Sequence, residues 1–167
     1  MTRFTENQSF RQPWLVVVLA LVFVGPMVAF WLFLSAGLSW GDNPSWDLAL
    51  LTYVAVDFAF VVWMLNVRME TRVEDREVIV KFHWLWPEKT FAMDNIVEAK
   101  ARNYRPIREY GGWGVRWGGG GRAFNVSGNR GVELALTDGR RVMIGSQSPD
   151  ELERALAEGM AAAGHSV

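Results

Sequence analysis

Two histidines, His83 and His165, and no cysteine limit the chemistry open to this chain. Without thiols there is no cysteine nucleophile, thiolate zinc site or iron–sulfur cluster. His83 is the outward member of a strand-like Phe82-His83-Trp84, and His165 lies in the tail. No carboxylate joins either at a fixed spacing, so no metal set forms. Ser127 and Ser146 lack a histidine placed to activate them. Gly118 to Gly121 followed by Arg122 suggests a phosphate-cradling loop. It lacks the Gly-Lys-Ser or Gly-Lys-Thr ending and a following helix, and reads as a glycine-rich turn. Asn125-Val126-Ser127 matches the glycan acceptor pattern and is read as a chance match. No nucleophile, acid/base pair or metal cluster stands out, so the residues point to a non-enzymatic protein with no cofactor.

Two features do carry a functional reading. From Lys100 to Arg130 seven basic residues face one acid, Glu109. The same region, residues 111–131, holds nine of the sixteen glycines. Arg105, Arg108, Arg116 and Arg122, with Trp113 and Trp117 as interfacial wedges, suit an anionic lipid surface, which attracts each cation by about 1 kcal/mol. The plainer alternative is a solvated loop face whose tryptophans pack inward. The second feature is Asp57, a carboxyl near the middle of an otherwise apolar run. Pro26 lies at similar depth in the preceding run and leaves the Val22 carbonyl without its helical donor. Asp57 is expected to donate a hydrogen bond to that carbonyl as the neutral acid. Its alternative role is a partner-binding or proton-relay carboxyl.

The elements that position these residues follow from charge distribution. The chain has 167 residues, half of them hydrophobic and 21% charged, with a formal net charge of −1. That balance gives no argument for nucleic acid as a partner. Residues 1–65 carry two basic and four acidic side chains, and residues 66–167 carry the other fifteen and fourteen. Trp14 to Leu34 is a run of 21 residues without a charge, reaching roughly 30 Å as a helix. Trp46 to Leu65 is a second apolar run. Trp14, Trp40, Trp46 and Trp63 stand near the run ends, where indoles favour the headgroup interface. A domain this small could not bury both runs as a core helix pair, so they predict a membrane hairpin. The first run is too long for a signal-peptide core, so it reads as a retained anchor despite Leu34-Ser35-Ala36. Arg3 and Arg11 precede the hairpin, Arg68, Arg72 and Arg76 follow it, and the link from Ser35 to Ser45 has neither Lys nor Arg. The positive-inside rule then places both termini in the cytoplasm.

After Leu65 the pattern becomes alternation. Val67, Met69, Thr71 and Val73, then Val78, Val80, Phe82 and Trp84, then Val97, Ala99 and Ala101 each predict a half-buried strand. A turn is expected at Glu74-Asp75, and Pro87 is read as ending a strand. Two short strands around Trp113–Trp117 and Arg122–Val126 flank a glycine turn. Asp138-Gly139 predicts a type I′ turn between 132–137 and 140–144. Ser148-Pro149-Asp150-Glu151 has the form of a capping box opening a helix with a Leu152, Ala155, Leu156, Met160 stripe that stops at Gly164. The expectation is six or seven antiparallel strands followed by one helix.

This layout resembles bacterial membrane proteins that carry a pleckstrin-homology-like (PH-like) domain. The wording that carries the likeness is Gly-Gly-Trp-Gly at 111–114, Asn-Val-Ser-Gly-Asn-Arg-Gly at 125–131 and Ile-Gly-Ser-Gln at 144–147. The resemblance implies an α+β membrane protein, with a two-helix transmembrane hairpin followed by a PH-like, partly open antiparallel β-barrel and a C-terminal helix. It divides the chain into a cytoplasmic tail at 1–13, a hairpin at 14–66 and a cytoplasmic PH-like domain at 67–167. It implies a binding role at the inner membrane, with the bilayer, anionic headgroups or another membrane protein as partner. The alternative is an accessory subunit of a larger membrane complex, with Asp57 meeting a neighbouring span.

Overall fold

The computed structural model describes residues 1–10, 13–35 and 44–164. Arg11, Trp40 and His165 lie outside the described residues, and so do the side chains of Trp14 and Trp46. The chain divides into two units, Phe10–Asn66 and a second formed by Met1–Ser9 with Val67–Val167.

The first unit is a pair of helices, α1 (Pro13–Ser35) and α2 (Pro44–Asn66). Among the described residues, Asp47–Asn66 is long and apolar enough to cross a membrane, and only 6% of its apolar window is buried. Val17–Leu32 is a shorter apolar stretch. Phe23 and Phe58 meet between the helices at 6.3 Å. Two polar side chains of α2 are turned back onto their own helix. Thr52 donates to the Leu48 carbonyl at 2.8 Å and Asn66 to the Val62 carbonyl at 2.7 Å. Asp57 is buried, whereas its neighbours Val56 and Phe58 are largely exposed. The expected hydrogen bond from Asp57 to the Val22 carbonyl is not found among the described residues.

The second unit holds two sheets and a covering helix. One sheet has the order β1 (Thr2–Ser9), β2 (Arg68–Glu74), β3 (Glu77–His83), β4 (Trp86–Ala92), all antiparallel. The other contains β5 (Ile96–Asn103), β6 (Gly114–Gly118), β7 (Gly121–Asn125), β8 (Arg130–Leu136) and β9 (Arg141–Gly145). Its order is β5-β8-β9-β7-β6, with β7 and β9 parallel. A short helix α3 (Pro106–Tyr110) precedes β6, and α4 (Pro149–Ala162) follows β9. The fold is therefore α+β, with one antiparallel and one mixed sheet.

The alternation works as the sequence predicts in β2 and β3, where Val67, Met69, Thr71, Val73, Val78, Val80 and Phe82 are buried. Phe82 and Phe91 of the first sheet meet Phe124 of the second at 6.4 and 6.1 Å, so the two inner faces share one core. The stripe Leu152, Ala155, Leu156 and Met160 buries α4 against β5 and its neighbours.

Several expectations are corrected. Residues 2–9 are not a tail but the edge strand β1, paired to β2 from Thr5↔Arg72 to Ser9↔Arg68. Glu6 accepts hydrogen bonds from Ser146 Oγ at 2.6 Å and the Gln147 amide at 2.7 Å, and Gln8 donates to the Gly145 carbonyl at 2.8 Å. Trp84 does not continue β3. It has φ +68° in the turn and is 76% exposed. The β3–β4 register shifts between Val80 and Phe82, so that Phe82 faces Trp86. The first turn falls at residues 75–76, one position later than expected. Pro87 lies inside β4, tolerated because β4 is a sheet edge. A bulge at Ile96/Glu98 buries Ile96 and leaves Val97 exposed. At 136–140 only Gly139 has positive φ, and its amide bonds the Leu136 carbonyl. That is a three-residue loop with glycine alone in the left-handed region, not the type I′ turn, which needs two such residues. Ser148 makes no side-chain cap. Its amide instead donates to Ser146 Oγ at 3.0 Å.

Candidate functional site

Strand parity decides where the basic segment goes. In the β7–β9 ladder Arg122 lies beside Val142 and Phe124 beside Ile144, so these four share the face toward the first sheet. Ala123 and Met143 alternate with them and cluster with Tyr104 and Tyr110 on the opposite face. Phe124 plugs the shared core. Arg122 occupies the next inward position, where that core opens to a cavity of about 510 Å³.

The cavity is lined by Phe91 of β4, by Trp117 and the Gly118–Gly121 turn, by Arg122, and by residues 139–142 at the β8–β9 turn. The Arg122 guanidinium lies 4.6 Å from the Trp117 ring centroid, 5.0 Å from Phe124 and 5.9 Å from Trp86. Trp86 and Trp117 meet edge-on at 5.7 Å. Aromatic faces attract a cation but leave its N–H groups unsatisfied. Arg122 Nε is buried and has no hydrogen-bond partner. Burial first, and then the charge of Arg140, lower the Arg122 pKa from its ordinary value.

Several other arginines of this unit are held by carboxylates. Arg102 bridges Glu109 at 2.9 Å and Glu133 at 2.7 Å, Arg141 meets Glu133 at 3.4 Å, and Arg140 meets Asp138 at 2.6 Å. Arg130 meets Asp150 at 3.2 Å. Arg122 has no such partner among the described residues.

The glycines of the turn serve the protein's own packing. A Cβ on Gly118 would lie 2.1 Å from the Glu109 carbonyl oxygen, and one on Gly121 would lie 2.2 Å from the Arg141 carbonyl oxygen. Gly121 also has φ +100°. These positions let the β6–β7 turn approach the backbone of α3 and of β9 more closely than any side chain would allow.

Of the residues singled out in the sequence, Trp117 and Arg122 come together here, paired across the β6–β7 ladder. Trp113 is half-buried and donates Nε1 to the Gly128 carbonyl at 3.0 Å, which ties its ring to that loop. Arg116 donates to the Trp113 carbonyl at 2.9 Å. Arg105 and Arg108 are exposed at α3, whose Tyr110 packs on the face opposite Arg122. The basic segment is thus split between two faces of one sheet. Trp86, Phe91, Arg140 and Arg141 join the site without having been singled out. The Arg-Arg pair directly after Asp138-Gly139 was the available signal, since a hairpin turn brings its flanks to a sheet end.

His83 pairs with Glu70 at 3.1 Å on the outer face, and that hydrogen bond, with Arg72 adding to it, holds the Glu70 carboxyl below its usual range against an opposing burial effect. Asn125 is fully buried and accepts the Gly114 amide at 2.9 Å, which leaves its side chain inaccessible to a glycan. Among the described residues no group of three His, Asp or Glu is arranged to hold a metal ion. No protein-family model matches the chain, and no curated protein matches it significantly.

Proposed function

We propose that the chain is a non-enzymatic, membrane-anchored binding module. In this reading α1 and α2 form a transmembrane hairpin, both termini are cytoplasmic, and a PH-like domain stands at the cytoplasmic face of the inner membrane. One observation of connectivity carries it. The chain leaves the β-rich unit after Ser9 and returns at Val67, and the register sets Ser9 beside Arg68. Both ends of the helical pair therefore start from one end of one strand pair, as a membrane hairpin with both termini on one side requires. The apolar, largely unburied Asp47–Asn66 supports a lipid environment. The cavity at Arg122 supports a binding role.

Alkaline carbonate extraction of membranes tests the anchor, and a C-terminal alkaline phosphatase fusion tests its orientation. The chain stays in the pellet and the fusion is inactive. Release into the wash, or an active periplasmic fusion, refutes the reading.

A second reading, an accessory subunit of a larger membrane complex, draws on Asp57, a buried carboxyl in the apolar helix α2. Co-purification in mild detergent with and without Asp57→Leu tests it. A partner lost with the substitution favours this reading, and an unchanged set of partners removes it.

A further inference from the structure

We propose that the Arg122 cavity binds the phosphate group of a ligand, with the guanidinium of Arg122 as its principal anchor. The inference rests on the binding-module reading and names its ligand chemistry.

Three observations converge. First, Arg122 is a half-buried cation with an orphaned Nε, and no carboxylate of the described protein neutralises it. A desolvated charge without a partner is costly, and in this position it is stabilised only by ring faces. An anion entering the cavity supplies the missing acceptor. Secondly, Arg140 and Arg141 line the same cavity. Each already holds one carboxylate, yet a guanidinium carries five N–H donors, so donors remain for a second acceptor. Three guanidinium groups exceed what a two-oxygen carboxylate can use and suit a phosphate, which offers more acceptors. Thirdly, about 510 Å³ lies within the usual range for small-molecule sites. Phe91 and Trp117 in its wall give the rest of the ligand an apolar surface. The ligand class is a phosphate ester with an apolar body, and its source is either a phospholipid headgroup or a soluble phosphate ester.

The contrast with Arg105 and Arg108 makes the claim specific. Both are exposed and lie at α3, away from the cavity. A diffuse electrostatic surface would weight these charges like Arg122. A built site would not.

The test uses the full chain in a nonionic detergent. Trp117 and Trp86 flank Arg122, so their fluorescence reports occupancy. The probes are glycerol phosphate, a short-chain phosphatidylglycerol, and sodium chloride at matched ionic strength. Expected is saturable quenching by at least one phosphate probe beyond the chloride effect. Arg122→Gln weakens it by roughly tenfold or more, the scale of one charge-assisted bidentate contact. Arg105→Gln and Arg108→Gln leave it within about twofold, as expected for exposed charges. Arg122→Lys, which keeps the charge but loses the fork, falls between wild type and Gln. A phospholipid that binds more tightly than glycerol phosphate identifies the membrane as source, and equal binding identifies a soluble ester. Near-UV circular dichroism shows that each variant is folded. Should Arg122→Gln misfold, Arg140→Gln serves instead and must also weaken binding. Quenching no greater than with chloride, or equal losses from Arg105→Gln and Arg122→Gln, overturns the proposal. Carbonate extraction of Arg122→Gln membranes is run in parallel. Anchoring that survives while phosphate binding is absent refutes this inference alone, whereas loss of wild-type anchoring refutes the membrane reading.

Discussion

Tyr104 offers the sharpest physical test of the β-rich unit. It is 2% exposed, packs edge-on against Tyr110 at 5.9 Å, and its hydroxyl makes no hydrogen bond. Burial pushes its pKa from 10.0 up to about 12, which the nearby Asn125 amide only partly offsets. The neutral phenol is therefore favoured in the folded state. Its contribution to stability is fully present below pH 10 and is lost as pH rises toward 12, where the unfolded chain ionises but the folded one does not. Two pH units correspond to about 3 kcal/mol at the upper end. The perturbation is Tyr104→Phe, which removes the ionising group and an unsatisfied hydroxyl together. At neutral pH the variant is as stable as wild type or more so, because an orphaned polar atom is gone. Between pH 8 and pH 11 wild type loses about 1.4 kcal/mol more than the variant, the amount for one unit beyond the unfolded pKa. Denaturant unfolding in detergent, followed by near-UV circular dichroism, measures the difference. Absorbance at the tyrosinate band gives an independent reading, since one titration step near pH 12 disappears in the variant. Parallel pH profiles for the two proteins, or a missing step near pH 10 instead, refute the argument.

Three further outcomes follow from the packing. Gly131→Ala places a Cβ 2.3 Å from the Ile144 carbonyl oxygen across the β8–β9 ladder, and costs about 1–3 kcal/mol in the same unfolding assay. Glu6→Ala removes the acceptor of two hydrogen bonds to Ser146 and Gln147 and weakens the hold on β1 by about 1.5–3 kcal/mol, visible as faster amide exchange over residues 2–9. Leu156→Ala opens a cavity under α4 and costs about 2–5 kcal/mol.

The parts of this protein legible in its sequence are those whose signal is local. Helix length in α1 and α2, the alternation in β2 and β3, the glycine turn between β6 and β7, and the apolar stripe of α4 each depend on neighbours a few positions away. Strand β1 carried no such signal, because a polar edge strand has little apolar alternation and owes its place to β2 and to Ser146 and Gln147, far along the chain. The basic segment read as one patch because parity across a glycine turn and a short helix is invisible without the sheet order. Residue composition alone determined that thiol and metal–thiolate chemistry are closed, and residue order that the apolar and the charged parts of the chain are segregated. Only the tertiary structure decided that Arg122 is drawn inward with a buried Nε and no carboxylate beside it, since burial and ion pairing depend on what distant strands bring within a few ångströms.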